Sequence, residues 1–348
     1  MKLRIGTVSY LALAALVGIA GGVWAAATET PSQEQPATPT PGAMVDALHA
    51  AFGDHHTRAV HAKGVYAVGE YRPSAAARRL SKASLFRSQN IPVLVRFSDF
   101  TGIPDIPDTA PQSMPRGMAL KFNLPGGHTA DVVAHSFNGF PTANTAEFRE
   151  LLFAIAASGQ NTPKPTPLDQ FLAAHPVAKA FLTTQKPMSE SYATLDYYGV
   201  NAFRFTDDAG ASVFVRYRFV PVDGERFVPA AKRASMGPDY LAHELPGRLS
   251  HGAVAYRWLA QIAAPGDAID NPSIAWPESR RLIDLGTIRI TGMAPNPAAL
   301  DRQTVFLPLN VPDGIAGADP MLDIRQHAYP ISFAHRRTAQ PAVARRGQ

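Results

Sequence analysis

Eight short runs rich in β-branched and aromatic residues are strung between residues 65 and 290, each bounded by turn residues: Val65–Tyr71, Val93–Ser98, Met118–Phe122, Asp131–Ala134, Ala202–Phe205, Val213–Val220, Ala253–Ile262 and Leu285–Ile290. Runs of this kind predict strands. Few segments between them have helical spacing: Glu147–Ala157 and Asp239–Leu249, with a short amphipathic helix, Met44–Phe52, ahead of the first strand. Successive antiparallel strands with long connections predict a chain that is α+β but mainly β: a closed barrel with added helices, not a doubly wound sheet. Gly126-Gly127 reads as a hairpin turn. No internal repeat and no domain break interrupts residues 43–336, and the 31 prolines predict long, stiff loops.

The ends differ from this body. Lys2 and Arg4 precede an apolar run from about Thr7 to Trp24, then Ala25-Ala26-Ala27. That is the charged, apolar, small-residue order of a secretory signal, with cleavage expected after Ala27. The expected location is periplasmic or secreted; an uncleaved membrane anchor is the alternative, since the run approaches spanning length. Residues 28–42 are rich in Pro and Thr and read as a flexible linker. Residues 337–348 are basic, lack periodicity and read as a disordered tail. Residues 1–27 hold two basic and no acidic side chains, so the formal net charge of +5 becomes +3 on cleavage. That balance, with no basic helix interleaved with aromatics, gives no reason to expect nucleic acid. No stable membrane insertion is expected once the signal is removed.

The chemistry is bounded by what is missing. The chain has no cysteine, so disulfides, thiolate metal sites and cysteine nucleophiles are excluded. It has no Gly-x-Ser-x-Gly, P-loop or dinucleotide fingerprint. Asp99, Asp105 and Asp108 lack calcium-loop spacing. His55, His56 and His61 read as lacking both an ordered helical spacing and nearby acids, and no structural metal is expected of them.

Three stretches remain. In Pro320–Arg336, Arg325 stands four residues before Tyr329 and Arg336 seven after it, so a helix would turn all three to one face. Pro330 predicts a bend in that helix. Tyrosine is one of the few protein ligands of haem iron. It binds as a phenolate, a form favoured by the metal and by a neighbouring arginine. Read alone, the stretch is more readily a core tyrosine with arginines at its rim. His61, just before the first strand in Arg58-Ala-Val-His61-Ala-Lys-Gly64, could carry a proton in peroxide cleavage. In Val95-Arg96-Phe97-Ser98 strand alternation puts Arg96 and Ser98 on one side, where Ser98 could orient a histidine.

Together these motifs, in this order, resemble the catalase superfamily and its small, secreted catalase-related peroxidases. RAVHAKG (58–64) is similar to the family's essential-histidine motif, VRFS (95–98) to the next strand, and RGMALKF (116–122) with Asp131-Val-Val to the following pair. MLDIRQHAYP (321–330), with His335-Arg336, is similar to the haem-tyrosine motif. The resemblance implies an eight-stranded antiparallel barrel with added helices enclosing haem b. It implies Tyr329 as axial ligand of the haem iron, Arg325 as its charge partner, and Arg58, Arg96 and Arg336 as propionate contacts. Val60 and Met321 would pack on the haem, and His61, oriented by Ser98, would be the distal acid–base.

There are departures. Where full-length catalases carry a distal asparagine this chain has His135, either a second acid–base or a packing residue. The family's polar run after the haem tyrosine is here Ile331-Ser-Phe333-Ala, and nothing after Arg336 is similar to the extensions of larger catalases. These departures imply a haem peroxidase that reduces hydrogen peroxide or organic peroxides with a small organic reductant and has weak catalase turnover. The alternatives are an enzyme transforming lipid hydroperoxides and a haem- or lipid-binding barrel without turnover. A homodimer follows from the resemblance alone.

Overall fold

The structure is a computed structural model that describes residues 37–338. The expected signal segment lies outside the described residues, as do residues 28–36 of the linker and 339–348 of the tail.

The eight runs are all strands: β1 (Gly64–Pro73), β2 (Ile91–Ser98), β3 (Gly117–Asn123), β4 (Thr129–His135), β5 (Tyr197–Thr206), β6 (Ser212–Pro221), β7 (Val254–Ile262) and β8 (Leu282–Met293). All pairings are antiparallel, in the order β4-β3-β2-β1-β8-β7-β6-β5, and a β4–β5 pairing closes the barrel. A three-residue strand, β9 (Ile315–Gly317), adds to β5. The barrel is two four-stranded meanders: β1–β8 joins them along a seven-pair ladder with one bulge, whereas β4–β5 joins them through the single pair His135↔Tyr198. Gly126 and Gly127, both at positive φ, make the tight turn between β3 and β4.

Strand alternation sorts the side chains. Val93, Val95 and Phe97 of β2 and Met118, Leu120 and Phe122 of β3 belong to the main core. That core fills the lumen with aromatics around the buried Trp258, which stacks on Phe122 at 5.5 Å and lies 5.3 Å from Tyr71. Such contacts contribute about 0.5–1.5 kcal/mol each beyond area burial. The lumen is therefore solid, and any enclosure falls to the helices on the outer face.

The helices among the described residues are α1 (Pro41–Phe52), α2 (Ala75–Leu80), α3 (Thr145–Ala156), α4 (Pro167–Ala174), α5 (Pro176–Thr183), α6 (Ala230–Arg233), α7 (Tyr240–His251), α8 (Pro297–Gln303) and α9 (Met321–Thr338). Helix α1 starts three residues before the sequence expectation: Thr40 caps it and Pro41 opens it, a good first-turn residue. Helices α2, α4, α5, α6 and α8 were not expected, though at α4 Thr166 and Asp169 form a reciprocal capping box readable as Thr-x-x-Asp. Helix α9 runs through Pro330 as one element to Thr338, two residues past the expected start of the tail. Met44, Val45, Ala47 and Leu48 of α1, Leu152 of α3 and Ala328 of α9 form a second apolar cluster, with Tyr329 packed against it.

Candidate functional site

A cavity of about 930 Å³, counted with its mouth, lies between this helical cluster and the outer face of β2–β5. Its walls take the strand positions that alternate away from the core: Arg96 and Ser98, Gly117 and Ala119, Val133 and His135, Tyr198 and Val200. Val45 and Leu48 of α1 and Arg325, Tyr329, Ser332 and Arg336 of α9 complete it, with Arg58, Val60 and His61 from the segment before β1. The structure thus brings together Arg58, Val60, His61, Arg96, Ser98, His135, Arg325, Tyr329 and Arg336. Met321 is buried at the start of α9 and is not part of the cavity wall.

One wall presents the tyrosine. Arg325 Nε donates to Tyr329 Oη at 2.9 Å, the contact that the i, i+4 spacing predicts. Behind Arg325 stands a support the sequence reading missed. Arg325 Nη1 donates to Asn201 Oδ1, Asn201 Nδ2 donates to Asp319 Oδ2 at 2.7 Å, and Asp319 Oδ1 accepts from Met321 N at 2.9 Å. Asn201 and Asp319 are both buried. The available signals were an asparagine inside an apolar strand run and an aspartate six residues before Arg325.

The facing wall presents the imidazoles. Ser98 Oγ lies 3.1 Å from His61 Nδ1, which leaves Nε2 as the nitrogen available to a ligand. His61 has φ +57°, rare for a residue with a side chain, and two backbone bonds hold it there: His61 N to Phe100 O and Ala62 N to Thr101 O, both 2.9 Å. Gly117 lets this pair sit so close: a Cβ there would lie 2.5 Å from Ser98 Oγ and 2.7 Å from His61 Nδ1. Lys63 anchors the same loop, with Nζ 2.6 Å from Asp108 and 2.8 Å from Asp239. Burial first, then the charge of Arg96, pushes His61 down to about 3. Burial and Arg325 push His135 down to about 3 as well. Both imidazoles are neutral near pH 7. Phe137 N donates to His135 Nδ1 at 3.4 Å, which puts the ring proton on Nε2, a buried nitrogen with no hydrogen-bond partner among the described residues.

A third side is cationic. Arg58, Arg96 and Arg336 converge on Asp301 of α8. Arg58 Nε donates to its carboxylate at 3.2 Å, Arg96 Nε lies 3.6 Å from it, and Arg336 Nε donates to the Asp301 carbonyl at 3.0 Å. Burial alone would raise Asp301, but the three arginines together hold it below the usual carboxylate range. Burial pushes Arg336 down to about 9 and Arg96 to about 10, so both stay charged at neutral pH. Three guanidiniums against one carboxylate leave two positive charges in excess, and Arg96 Nε is a buried donor without a hydrogen-bond acceptor among the described residues. The site calls for an anionic ligand.

An antiparallel barrel carrying an outer pocket, with a tyrosine–arginine pair on one wall, a serine-held histidine on the other and surplus arginines at the side, defines a recognisable class. The chain belongs to the catalase family: the family model described as "Catalase" matches residues 53–341. It is 33% identical over 336 residues to a "Catalase-related peroxidase" of Synechococcus elongatus, covering 94% of this chain and 95% of that one. It is 36% identical over 298 residues to a "Catalase-related peroxidase" of Mycolicibacterium paratuberculosis, covering 84% and 93%. Among solved structures, a fungal catalase superposes with a TM-score of 0.71 at 20% identity, over 80% of this chain and 59% of that one. At that identity the likeness shows the fold, and the chain spans about three fifths of the solved catalase.

Catalase-family proteins bind haem, and the residues present fit it. A phenol oxygen paired with arginine suits ferric iron. The two uncompensated positive charges match the two propionates of haem. Apolar Val45, Leu48, Val60, Val133 and Val200 would meet the flat ring.

Proposed function

We propose that this protein is a haem b peroxidase that reduces hydrogen peroxide or an organic hydroperoxide at the expense of a small organic reductant. The carrying observation is the opposition across one cavity of Arg325–Tyr329, at 2.9 Å, and Ser98–His61, at 3.1 Å. The relatives named as catalase-related peroxidases support the same reading.

Bound haem would supply an iron that passes electrons from the reductant to the peroxide. Tyr329 would hold that iron through Oη, and the Arg325 guanidinium would keep negative charge on the oxygen. Arg58, Arg96 and Arg336 would hold the carboxylates. In the overall reaction a hydroperoxide takes two electrons and two protons, its O–O bond breaks, and an alcohol (or water) and a second water leave. The neutral His61 would accept a proton from one peroxide oxygen and deliver it to the departing one, so that the leaving group is an alcohol, or water when the substrate is hydrogen peroxide. Ser98 fixes the ring for both transfers. His135 presents an N–H to the same space and would hold the peroxide by donating a hydrogen bond. The charged, apolar, small-residue order of residues 2–27 supports a periplasmic or secreted location.

The test is a visible spectrum of the purified protein beside Tyr329→Phe, followed by peroxide kinetics of His61→Ala. Wild type should show a Soret band with high-spin ferric bands that collapse in Tyr329→Phe. His61→Ala should keep the haem and lose roughly 10²–10⁴-fold in peroxide consumption. A wild type that takes up no haem even on reconstitution, or a haem-loaded His61→Ala that turns over unchanged, would overturn the reading.

A further inference from the structure

Helices α1 and α9 both line the cavity, and their C-terminal turns meet outside it. There three histidines surround one carboxylate. His49 comes from the last turn of α1, His335 from the last turn of α9, and Asp54 and His56 from the loop after α1. None of the four is part of the cavity wall. The His335 ring lies 5.3 Å from that of His49 and 5.5 Å from that of His56. His335 Nε2 is 3.5 Å from Asp54 Oδ2, and His56 Nδ1 is 3.6 Å from Asp54 Oδ1. One ligand atom each from His49, Asp54 and His335 lie within 4.8 Å of one another.

These distances do not suit direct pairing. N–H···O bonds to a carboxylate close to about 2.7–3.2 Å, and both imidazoles stand beyond that. His335 faces Asp54 through Nε2, the nitrogen it would offer to an ion. Ligands on a tetrahedral ion with metal–nitrogen bonds of about 2.0–2.1 Å stand roughly 3.3 Å apart. The cluster is slightly open relative to that figure, and side-chain rotation can close it, since Asp54 and His335 are half-exposed and His56 is 65% exposed. The backbone is already set: Asp54 Oδ1 accepts from His56 N at 3.0 Å, and His56 takes a left-handed φ of +54°.

We propose that His49, Asp54 and His335 form a binding site for a divalent transition-metal ion, with Zn²⁺ the best match to two imidazoles and a carboxylate, the fourth position being left to water or to the neighbouring His56. The histidines grouped in the sequence, His55, His56 and His61, are not the ones that converge here, and the acid that does, Asp54, adjoins them. His61 faces the cavity and His55 Nε2 pairs with Phe52 O at 2.9 Å, whereas the His56 ring lies beside that of His335 in α9. The ion would clip α1 to α9 behind the cofactor pocket, independently of what that pocket holds.

The experiment is calorimetric titration of Zn²⁺ into the chelator-treated full chain, with thermal melts alongside. One equivalent should bind, and the melting temperature should rise with Zn²⁺. His49→Ala and Asp54→Asn should each weaken binding at least tenfold and abolish the thermal rise, with zinc-free melting unchanged. His251→Ala, an exposed histidine on α7, should bind as wild type does. If His49→Ala fails to fold, Asp54→Asn, on a partly exposed loop, carries the test alone. No binding of one equivalent in wild type, or equal affinity in Asp54→Asn, would overturn the site; in the second case zinc is held by histidines elsewhere.

Discussion

Gly117 shows how little room the chemistry leaves. A methyl group there would press on both Ser98 Oγ and His61 Nδ1, which strand β2 and the His61 backbone bonds prevent from retreating freely. Gly117→Ala should therefore retain haem but lose peroxide turnover, on the order of 10²-fold for an ångström of misplacement. Steady-state kinetics beside the haem spectrum checks this, and unchanged turnover would mean that the pair tolerates separation. The two cavity histidines set a pH dependence. Each titrates at about 3 when folded, against roughly 6.5 when exposed, so the unfolded chain binds more protons in between. Their contribution to stability is intact above pH ~6.5 and lost as the pH falls toward 3. Urea midpoints should fall across that window, and His135→Gln should flatten the slope; an unaltered slope would show that His135 is not buried neutral. Arg96 and Ser98 were legible as one side of a strand, the pairing of Ser98 with His61 came from the family resemblance, and His135 was legible as a departure from the family. Gly117 was not legible as a contact, because a glycine at a strand's start looks the same whatever faces it.

At the scale of elements, α9 does two jobs: it presents Tyr329 and it covers the cavity. Its inner face was legible because the steps of four from Arg325 to Tyr329 and seven from Tyr329 to Arg336 are local relations. What holds that face in register was not, since Asn201 and Asp319 lie 118 residues apart in sequence. Asp319→Ala would remove the bond to Met321 N at the helix start and leave the buried Asn201 amide without its acceptor, costing roughly 2–4 kcal/mol. It should also loosen Arg325 and so shift the visible spectrum of the haem-loaded protein. Equal urea midpoints for the variant and wild type would remove the support role. Of the unexpected helices, α4 and α5 are short and exposed over much of their surface; α4 is signalled by its capping box and α5 only by Pro176 in its first turn.

For the whole molecule, alternation and turn residues identified all eight barrel strands, because those signals are local. They did not say which strand meets which, since a period of two names a face and not a partner. The β1–β8 seam, joining residues more than 200 positions apart, had to come from the structure. So did the position of the cavity, which depends on a lumen already filled by Trp258 and its neighbours. There is a consequence in time. The meander that carries His61, Ser98 and His135 leaves the ribosome long before Met321–Thr338 does, so for most of its synthesis the nascent chain owns one half of a grip. The fold keeps its cofactor waiting until its last described element arrives.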